Sequence, residues 1–451
     1  MTDEYDHLIE NFTGINLGSF VVKSALNQRN SSMQSKWKAL LKEQRLPVEG
    51  WSGGSIEGFL YQLSGLDGNN FGGVIGMGER EGRICNELIK RRHFGFAHGM
   101  GRSGNLKDSQ PKAVGSSILI RLTHRLIESA LRVWGFDRSA MRGGSIILPV
   151  CTGMSIAQVL LSMNFPFKEA NTRNNNKNKN RVILLRIDQK SCVKAIRAAE
   201  CEMILLEGLI EGDQIVTDLE ALELLLKESS GNGSIRAVVS CVSCFAPRSP
   251  DKLVQIGRLC RKYRVGHVVN AAYGGTSERA CNLINNTLIE GGRIDAVVMS
   301  LDKNFEVPVG GAVVFGPEEE LIERIGSRWP GRAGASHIID LFIALLSKGQ
   351  KGILAAKTDR IEAFNHFKKR LKYSEQCCWS LMKTPQNDIS LALKLPVGLG
   401  DTALGSKLFH RNISGARVIQ ISSPKLSPKL TMSILSISGL IPRNGPMNFV
   451  T

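Results

Sequence analysis

Seven hydrophobic runs of strand length lie between about residues 115 and 317, and they limit the fold more than any other feature of this sequence. They begin at Ser145, Arg181, Glu202, Ile235, Gly266, Ala296 and Gly311. Helix-forming segments such as DLEALELLLKE and DKLVQIGRLCRKY lie between several of them. Continuous β-branched runs that alternate with helices are typical of a parallel sheet covered on both faces. We therefore predict an α/β fold with a mostly parallel, seven-stranded sheet.

The rest of the chain is predicted to flank this sheet. We divide the sequence into a helical arm (1–50), a large sheet domain (51–340), a smaller α+β domain (341–420) and a poorly structured tail rich in Ser, Pro and Lys (421–451). In the arm, Trp37, Leu40 and Leu41 would share one helix face, and Pro47 would stop the helix. Such an arm suits packing on the same chain, and contact with a neighbouring subunit or RNA is the alternative.

The charge balance favours a polyanionic partner. The chain carries 58 Lys and Arg against 41 Asp and Glu, a net charge of +17. Nucleic acid is the commonest polyanion that such an excess binds, although an ordinary basic enzyme would share the same composition. No run of eighteen apolar residues occurs, and the N-terminus lacks a secretory or transit pattern. We therefore expect a cytoplasmic protein without membrane spans.

The cysteines predict no metal centre. Ten of them are scattered along the chain, mostly within apolar runs, as reduced core cysteines are. Cys241 and Cys244 have the spacing of a zinc or redox pair, but no second pair of ligands lies nearby. Two buried thiols are the favoured interpretation.

Lys303 is the first candidate for chemistry. It follows the apolar run AVVMSLD and precedes VPVGG. A desolvated lysine amine with a lowered pKa is what Schiff-base chemistry requires. A strand-end lysine that reaches water has the same sequence pattern and is more frequent.

Two upstream stretches have the order found in pyridoxal-phosphate enzymes on α/β sheets. In VNAAYGG, Asn270 stands where many such enzymes carry an acid that pairs with the cofactor's ring nitrogen. An amide can hydrogen-bond that nitrogen but cannot hold it as a pyridinium, so the electron sink should be weaker and should suit elimination of a good leaving group. In CTGMS, Thr152, Gly153 and Met154 would offer backbone N–H groups to the cofactor phosphate.

A second anion pocket is predicted ahead of the sheet. The stretches GMGEREGR, from Gly76, and HGMGRSGNLKDSQPKAVGSS, from His98, combine glycines with arginines. No Walker lysine follows, so a nucleotide P-loop is not indicated. Arg102, Ser103 and Gln110 could instead surround a phosphate, and a basic surface turn is the simpler alternative.

Taken together, these motifs strongly resemble the O-phosphoseryl-tRNA(Sec) selenium transferase family. The resemblance runs from about Trp51 to Gln420 and rests mainly on GRSG…QPKA and SLDKNF.VPVGGA. It implies a fold-type-I enzyme that uses pyridoxal phosphate and forms a homotetramer with active sites between subunits. The implied reaction converts phosphoseryl-tRNA(Sec) to selenocysteinyl-tRNA(Sec) with selenophosphate as selenium donor.

The resemblance also implies a role for individual residues. Lys303 would form the Schiff base, and Arg80, Gln189 and Asn270 would contact the cofactor. The substrate phosphate would be held by Arg102, Ser103, Gln110 and Arg332. Glu79 would repel the carboxylate of a free amino acid while it tolerates the uncharged ester of an aminoacyl-tRNA. Arg417 would touch the tRNA.

The chain also departs from the family pattern. Ala271 replaces an Asn, Glu290 replaces a basic residue, and the similarity is expected to end after Gln420. A tRNA-binding protein with impaired catalysis is therefore one alternative. A pyridoxal-phosphate enzyme for a small amino acid, similar to cysteine desulfurases, is another, which Glu79 and the separate phosphate loop disfavour.

Overall fold

The central sheet confirms the prediction from the hydrophobic runs. The computed structural model describes residues 32–73, 77, 81–102, 104–163, 180–230, 234–373, 379–396, 402–421 and 432–438. Seven strands form the sheet: β1 (Ser145–Leu148), β2 (Arg181–Leu185), β3 (Glu202–Leu206), β6 (Ile235–Cys241), β7 (Gly266–Asn270), β8 (Ala296–Ser300) and β9 (Ala312–Phe315). Their order is β1-β9-β8-β7-β6-β2-β3, and only β9 runs antiparallel to its neighbours. The strands start at or within one residue of the predicted positions.

Helices connect these strands along the chain. The structure contains α1 (32–43), α2 (Gly53–Ser64), α3 (Glu87–Arg92), α4 (Val114–Trp134), α5 (Thr152–Ser162), α6 (Lys190–Ala198), α7 (Leu219–Ser230), α8 (Leu253–Lys262), α9 (Glu278–Ile289), α10 (Leu301–Phe305), α11 (Glu319–Ser327), α12 (Ser336–Tyr373) and α13 (Thr402–Phe409). A short β4–β5 hairpin (Leu209–Glu211 and Gln214–Val216) precedes α7. Within the described ranges, no helix has both the length and the apolar character needed to cross a membrane.

The two faces of the sheet are buried against different helices. Along β2, Ile183 packs in one apolar cluster with Leu222 of α7 and Ile256 of α8. Its neighbour Val182 belongs to the other cluster, which includes Ile156 of α5. This alternation follows from the two-residue period of a strand. Because both faces are covered, only the strand ends remain available for a site.

The last described strand corrects the prediction of a structureless tail. β13 (Met432–Ser438) lies between β11 (Ser390–Leu395) and β12 (Ala416–Ile421) in an antiparallel sheet whose edge is β10 (Ser380–Leu381). The segment MSILSIS is a short run in which apolar residues outnumber the serines. The Ser, Pro and Lys around it hid this run. The expectation of a tail from residue 421 is therefore wrong for this stretch.

The core of the large domain extends past the predicted boundary at residue 340. α12 crosses that position and bends at Gly349, whose φ of 60° and ψ of −172° interrupt the helix. Before the bend, the helix packs Phe342 on the ring of Phe59, and the main apolar cluster continues to Ile353. A Cβ at position 349 would come within 2.7 Å of the Glu49 carbonyl carbon, so the bend requires glycine.

The helical arm packs on the large domain. The ring of Trp37 lies 5.6 Å from that of Phe59, and its Nε1 donates to the Ser55 carbonyl at 3.2 Å. Leu40 is buried, but Leu41 is 42% exposed, so the predicted three-residue apolar face contains only the first two. Residues 1–31 of the predicted arm lie outside the described residues.

His124 connects α4 to the sheet in its neutral form. Its Nδ1 lies 2.8 Å from the Ile120 carbonyl, which can only accept, and its Nε2 lies 3.1 Å from the Ile147 amide, which can only donate. These partners fix one neutral tautomer. Burial is the main cause that lowers the pKa of His124 from 6.5 to about 4.

Acid should therefore destabilise the fold through His124. Between pH 6.5 and 4 the unfolded chain binds a proton that the folded ring does not, so the free energy of unfolding should fall by roughly 3 kcal/mol as the pH drops from 7 to 4. Urea unfolding of His124→Asn should show a loss smaller by this amount, while the exposed control His410→Asn should keep the full loss. Equal pH profiles for the three proteins would contradict this role.

Candidate active site

Lys303 lies at the carboxyl end of the sheet, in the short helix that follows β8. Its side chain is partly buried, with Nζ 3.4 Å from Ser300 Oγ and 5.1 Å from the centre of the Tyr273 ring. The neighbouring Asp302 accepts a hydrogen bond from the Ser300 hydroxyl. No carboxylate among the described residues forms an ion pair with Lys303. The amine is therefore held by neutral groups, an environment in which it can act as a nucleophile or a base.

Asn304 fixes this helix to the end of β7. Its Nδ2 donates to the carbonyls of Ala272 and Ser300 at 2.8 and 2.6 Å. Its Oδ1 accepts from the Gly275 amide at 2.9 Å. The side chain is only 7% exposed. These three contacts set the position of the neighbouring Lys303 relative to the loop after β7.

Asn270 ends β7 and is 6% exposed. Its Oδ1 accepts from the Ala272 amide at 3.1 Å, and its Nδ2 donates to the Sγ of Cys192 at 3.4 Å. Ala271, where the family pattern has an amide, is fully buried. The structure thus places Asn270 beside Lys303 along the sheet edge, because β7 and β8 are adjacent parallel strands.

The start of α5 fits a phosphate group. Cys151 precedes the helix and makes no side-chain cap to its first turn, so the N–H groups of that turn face no internal acceptor. The Oγ1 of Thr152 is buried and has no hydrogen-bond partner among the described residues. Gly153 lies against Ser191, since a Cβ there would be 3.3 Å from the Ser191 Cβ. An unpartnered donor beside a helix N-terminus is the environment that a phosphate ester satisfies.

Gln189 is brought to the same edge. It precedes α6, and its carbonyl accepts from the Cys192 amide at 3.0 Å, one turn from the thiol that contacts Asn270. Met154, the third residue predicted at the phosphate, has a side chain that is 54% exposed, so only its backbone suits that role. One group at the ends of parallel strands therefore contains Lys303, Asn270, Gln189, Thr152 and Gly153.

Arg332 belongs to a second group. Its Nη1 pairs with the carboxylate of Glu81, and its Nη2 donates to the His98 carbonyl at 2.6 Å. Glu81, His98 and Arg332 line a cavity of about 420 Å³. Two positive-φ glycines allow this arrangement: a Cβ at Gly99 would lie 2.2 Å from the Ala333 carbonyl oxygen, and one at Gly101 would lie 2.2 Å from that of Asn105.

The predicted phosphate loop packs against the Arg332 segment through its backbone. The Met100 amide donates to Ala333, and that of Gly104 to Gly331, at 2.8 and 3.3 Å. The side chain of Arg102 is exposed, whereas Gln110 is partly exposed. The loop thus brings Arg102 near Arg332. Among the described residues, no hydrogen bond or ion pair links Arg102, Gln110 or Arg332 to Lys303.

Four predicted site residues cannot be located by their side chains. Glu79, Arg80 and Ser103 lie outside the described residues. Arg417 is on β12, where its backbone opposes Ser436, but its side chain lies outside the described part. Glu290, which departs from the family pattern, forms an ion pair with Arg258.

Cys241 and Cys244 are both buried free thiols, as predicted. The hydrogen bond between the two thiols, together with burial, raises the pKa of Cys241. The neighbouring Asp251 accepts from the Cys241 amide and from Arg248, each at 2.7 Å. This network closes the loop after β6, the strand next to β7.

Sequence reasoning missed the residues that support the site. Asn304 and Cys192 contact the predicted residues or their backbone, yet neither was assigned a role. Asn304 had one available signal: it lies in SLDKNF, directly after the candidate lysine. Cys192 lies in KSC, where nothing in the sequence indicates a contact with a strand 78 residues away.

The chain matches known proteins along most of its length. The family model described as O-phosphoseryl-tRNA(Sec) selenium transferase, SepSecS, matches residues 66–437, which include β13. A curated protein of that name from Dictyostelium discoideum is 39% identical over 436 residues, covering 92% of this chain and 88% of the relative. Its namesake from Methanopyrus kandleri is 36% identical, covering 85% and 84%.

Solved structures agree with these matches. The crystal structure of an archaeal O-phosphoseryl-tRNA(Sec) selenium transferase superposes with a TM-score of 0.82 at 26% identity, covering 93% of this chain and 94% of that one. The tryptophan decarboxylase of Catharanthus roseus shares the fold at a TM-score of 0.57 and 11% identity. The fold, the length of the match and the identity to curated relatives together show that this chain belongs to the O-phosphoseryl-tRNA(Sec) selenium transferase family.

Proposed function

We propose that this chain converts phosphoseryl-tRNA(Sec) to selenocysteinyl-tRNA(Sec), the reaction that its family name describes. The observation that carries the proposal is Lys303, held by neutral groups at the end of β8 next to Asn270. The enzymes of this family use pyridoxal phosphate, and the residues of the site fit that cofactor. The unpartnered Thr152 Oγ1 at the start of α5 is where its phosphate would be held.

The cofactor would be held by residues from four strand ends, those of β1, β2, β7 and β8. Thr152, Gly153 and Met154 would bind its phosphate through the first turn of α5, and Lys303 would bind it covalently through Nζ. Asn270 would face the ring nitrogen, with Gln189 and Arg80 as further ring contacts. When bound, pyridoxal phosphate supplies an electron sink for the bond that breaks at the substrate Cα.

Lys303 would also move a proton. Its free amine would take the proton from the substrate Cα, and the aromatic face of Tyr273 and the Ser300 hydroxyl would hold that amine in place. Arg102, Ser103, Gln110 and Arg332 would stabilise the negative charge on the phosphate that leaves Cβ. Selenophosphate would then supply the selenium.

Two groups of residues with no direct link support an assembly of several chains. We propose a homotetramer in which the phosphate-binding loop of one subunit serves the Lys303 of another, because these groups make no hydrogen bond to each other within the described residues. We also keep, as part of this proposal, the predicted division of the chain at residue 51 between the helical arm and the large domain.

The net charge of +17 and Arg417 would favour binding of the tRNA. We place the reaction in the cytoplasm, where its product is used.

Replacing Lys303 tests the catalytic role. Purified wild-type protein supplied with pyridoxal phosphate should show a visible absorbance band, which borohydride reduction should remove while it links the cofactor covalently to the chain. Lys303→Ala should lack this linkage and lose roughly a thousandfold or more in turnover. The matched control Lys357→Ala removes another partly buried lysine, one that donates to the Trp134 carbonyl, and should keep both. A folded wild-type protein without the band would favour the alternative, a tRNA-binding protein with impaired catalysis.

Replacing Glu79 tests the substrate class. Wild-type protein should turn over phosphoseryl-tRNA(Sec) and not free phosphoserine, because a carboxylate at position 79 repels the free α-carboxylate. Glu79→Gln should raise kcat/KM for free phosphoserine roughly tenfold, the effect of about 1.4 kcal/mol. Glu87→Gln, an exposed control, should leave it unchanged. Equal use of both substrates by the wild type would instead indicate an enzyme for a small amino acid.

A further inference from the structure

The side-chain amide of Asn270 has a single orientation that its two contacts dictate. A backbone N–H can only donate, so the atom 3.1 Å from the Ala272 amide must be the oxygen Oδ1. The nitrogen Nδ2 therefore faces the Sγ of Cys192, at 3.4 Å. The reverse orientation would set two donors against each other.

One N–H of Nδ2 remains for a ligand. Nδ2 carries two hydrogens, Cys192 receives one, and the other has no partner among the described residues. Asn270 is 6% exposed, so that hydrogen is not simply solvated. A buried donor without a partner is unfavourable unless a bound group accepts from it.

We propose that Cys192 is a positioning residue that holds the Asn270 amide so that its second N–H donates to an unprotonated ring nitrogen of the cofactor. The inference rests on the proposed function, since it requires pyridoxal phosphate at Lys303. It goes beyond that function because it assigns a role to Cys192 and a protonation state to the ring. An oxygen facing the ring would instead accept from a pyridinium, but the Ala272 contact turns that oxygen toward the backbone of the loop after β7.

The thiol suits this role because it stays neutral. Cys192 is 3% exposed, and burial raises the pKa of its thiol. A neutral sulfur accepts weakly and adds no charge beside the ring nitrogen. A carboxylate at position 270 would favour a proton on the ring nitrogen, whereas the neutral Asn270 amide and Cys192 thiol do not. The site therefore keeps a moderate electron sink, which suffices where phosphate, a good leaving group, departs.

The experiment uses full-length protein loaded with pyridoxal phosphate labelled with ¹⁵N in the ring, and it measures the ring ¹⁵N resonance and the cofactor dissociation constant. In wild type the resonance should lie in the range of an unprotonated, hydrogen-bonded pyridine. Asn270→Asp should move it to the protonated range. Cys192→Ala should move it toward the value without a hydrogen bond and weaken cofactor binding about three- to tenfold.

Two further variants separate positioning from packing. Cys192→Ser keeps an acceptor and should restore the resonance, with binding within about twofold of wild type. Cys260→Ala also deletes a fully buried thiol, but in α8, and should lower stability without moving the resonance. All four variants keep Lys303, so each should retain the reducible visible band.

The outcomes are distinct. Two results would overturn the inference: a protonated ring nitrogen in wild type, or a Cys192→Ala protein with the wild-type resonance and affinity. If the reducible visible band is present in either case, the proposed function still stands. A wild-type protein that binds no cofactor overturns both. A Cys260→Ala protein that moves the resonance as much as Cys192→Ala would assign the effect to general loosening and would also overturn the inference.

Discussion

The three hydrogen bonds of Asn304 are the interaction on which the arrangement at the sheet edge depends. The helix that carries Lys303 has five residues, too few to be stable by itself. Asn304 joins it to the Ala272 carbonyl and to the Gly275 amide, so the loop after β7 and the helix after β8 form one unit. Position 275 must be glycine here, because a Cβ would lie 2.4 Å from the Trp134 ring. A cofactor bound across these two strand ends would therefore meet Lys303 and Asn270 in a fixed relation.

Charge is distributed unevenly between the two groups of site residues. Around Lys303 the contacts are an aromatic ring and a hydroxyl, and the nearby amide and thiol carry no charge. Around Arg332 the contacts include the carboxylate of Glu81, which offsets part of the charge of this cation.

The sequence predicted the fold well because the sheet is covered on both faces. Such strands are apolar throughout, and each of the seven runs was visible without knowledge of any contact. The placement of Lys303, Asn270 and the start of α5 at one edge of the sheet could be predicted, because each follows a strand and these strands run parallel. The contact of Cys192 with Asn270 could not, because it joins two elements far apart in sequence.

Two errors had the same origin, which was local composition. Ser, Pro and Lys near β13 resembled a tail although a strand lies among them, and a composition change near residue 340 concealed the continuing core of α12. In both places the tertiary packing decides, and a window of sequence does not contain it. In the predicted phosphate loop, the glycines indicated the loop itself. Nothing in the sequence indicated the ion pair between Glu81 and Arg332.

The position of β13 has a consequence for the order of folding. It follows β11 and β12 in the chain but lies between them, so those two strands have no direct pairing with each other. Neither β11 nor β12 can complete its hydrogen bonding until β13, which comes later in the chain, pairs with both. This pairing joins segments far apart in sequence, so it is slow for entropic reasons. The seven-stranded sheet needs nothing from that segment. The small domain should therefore assemble as a late event on a large domain that is already formed, with two strand edges open in the interval.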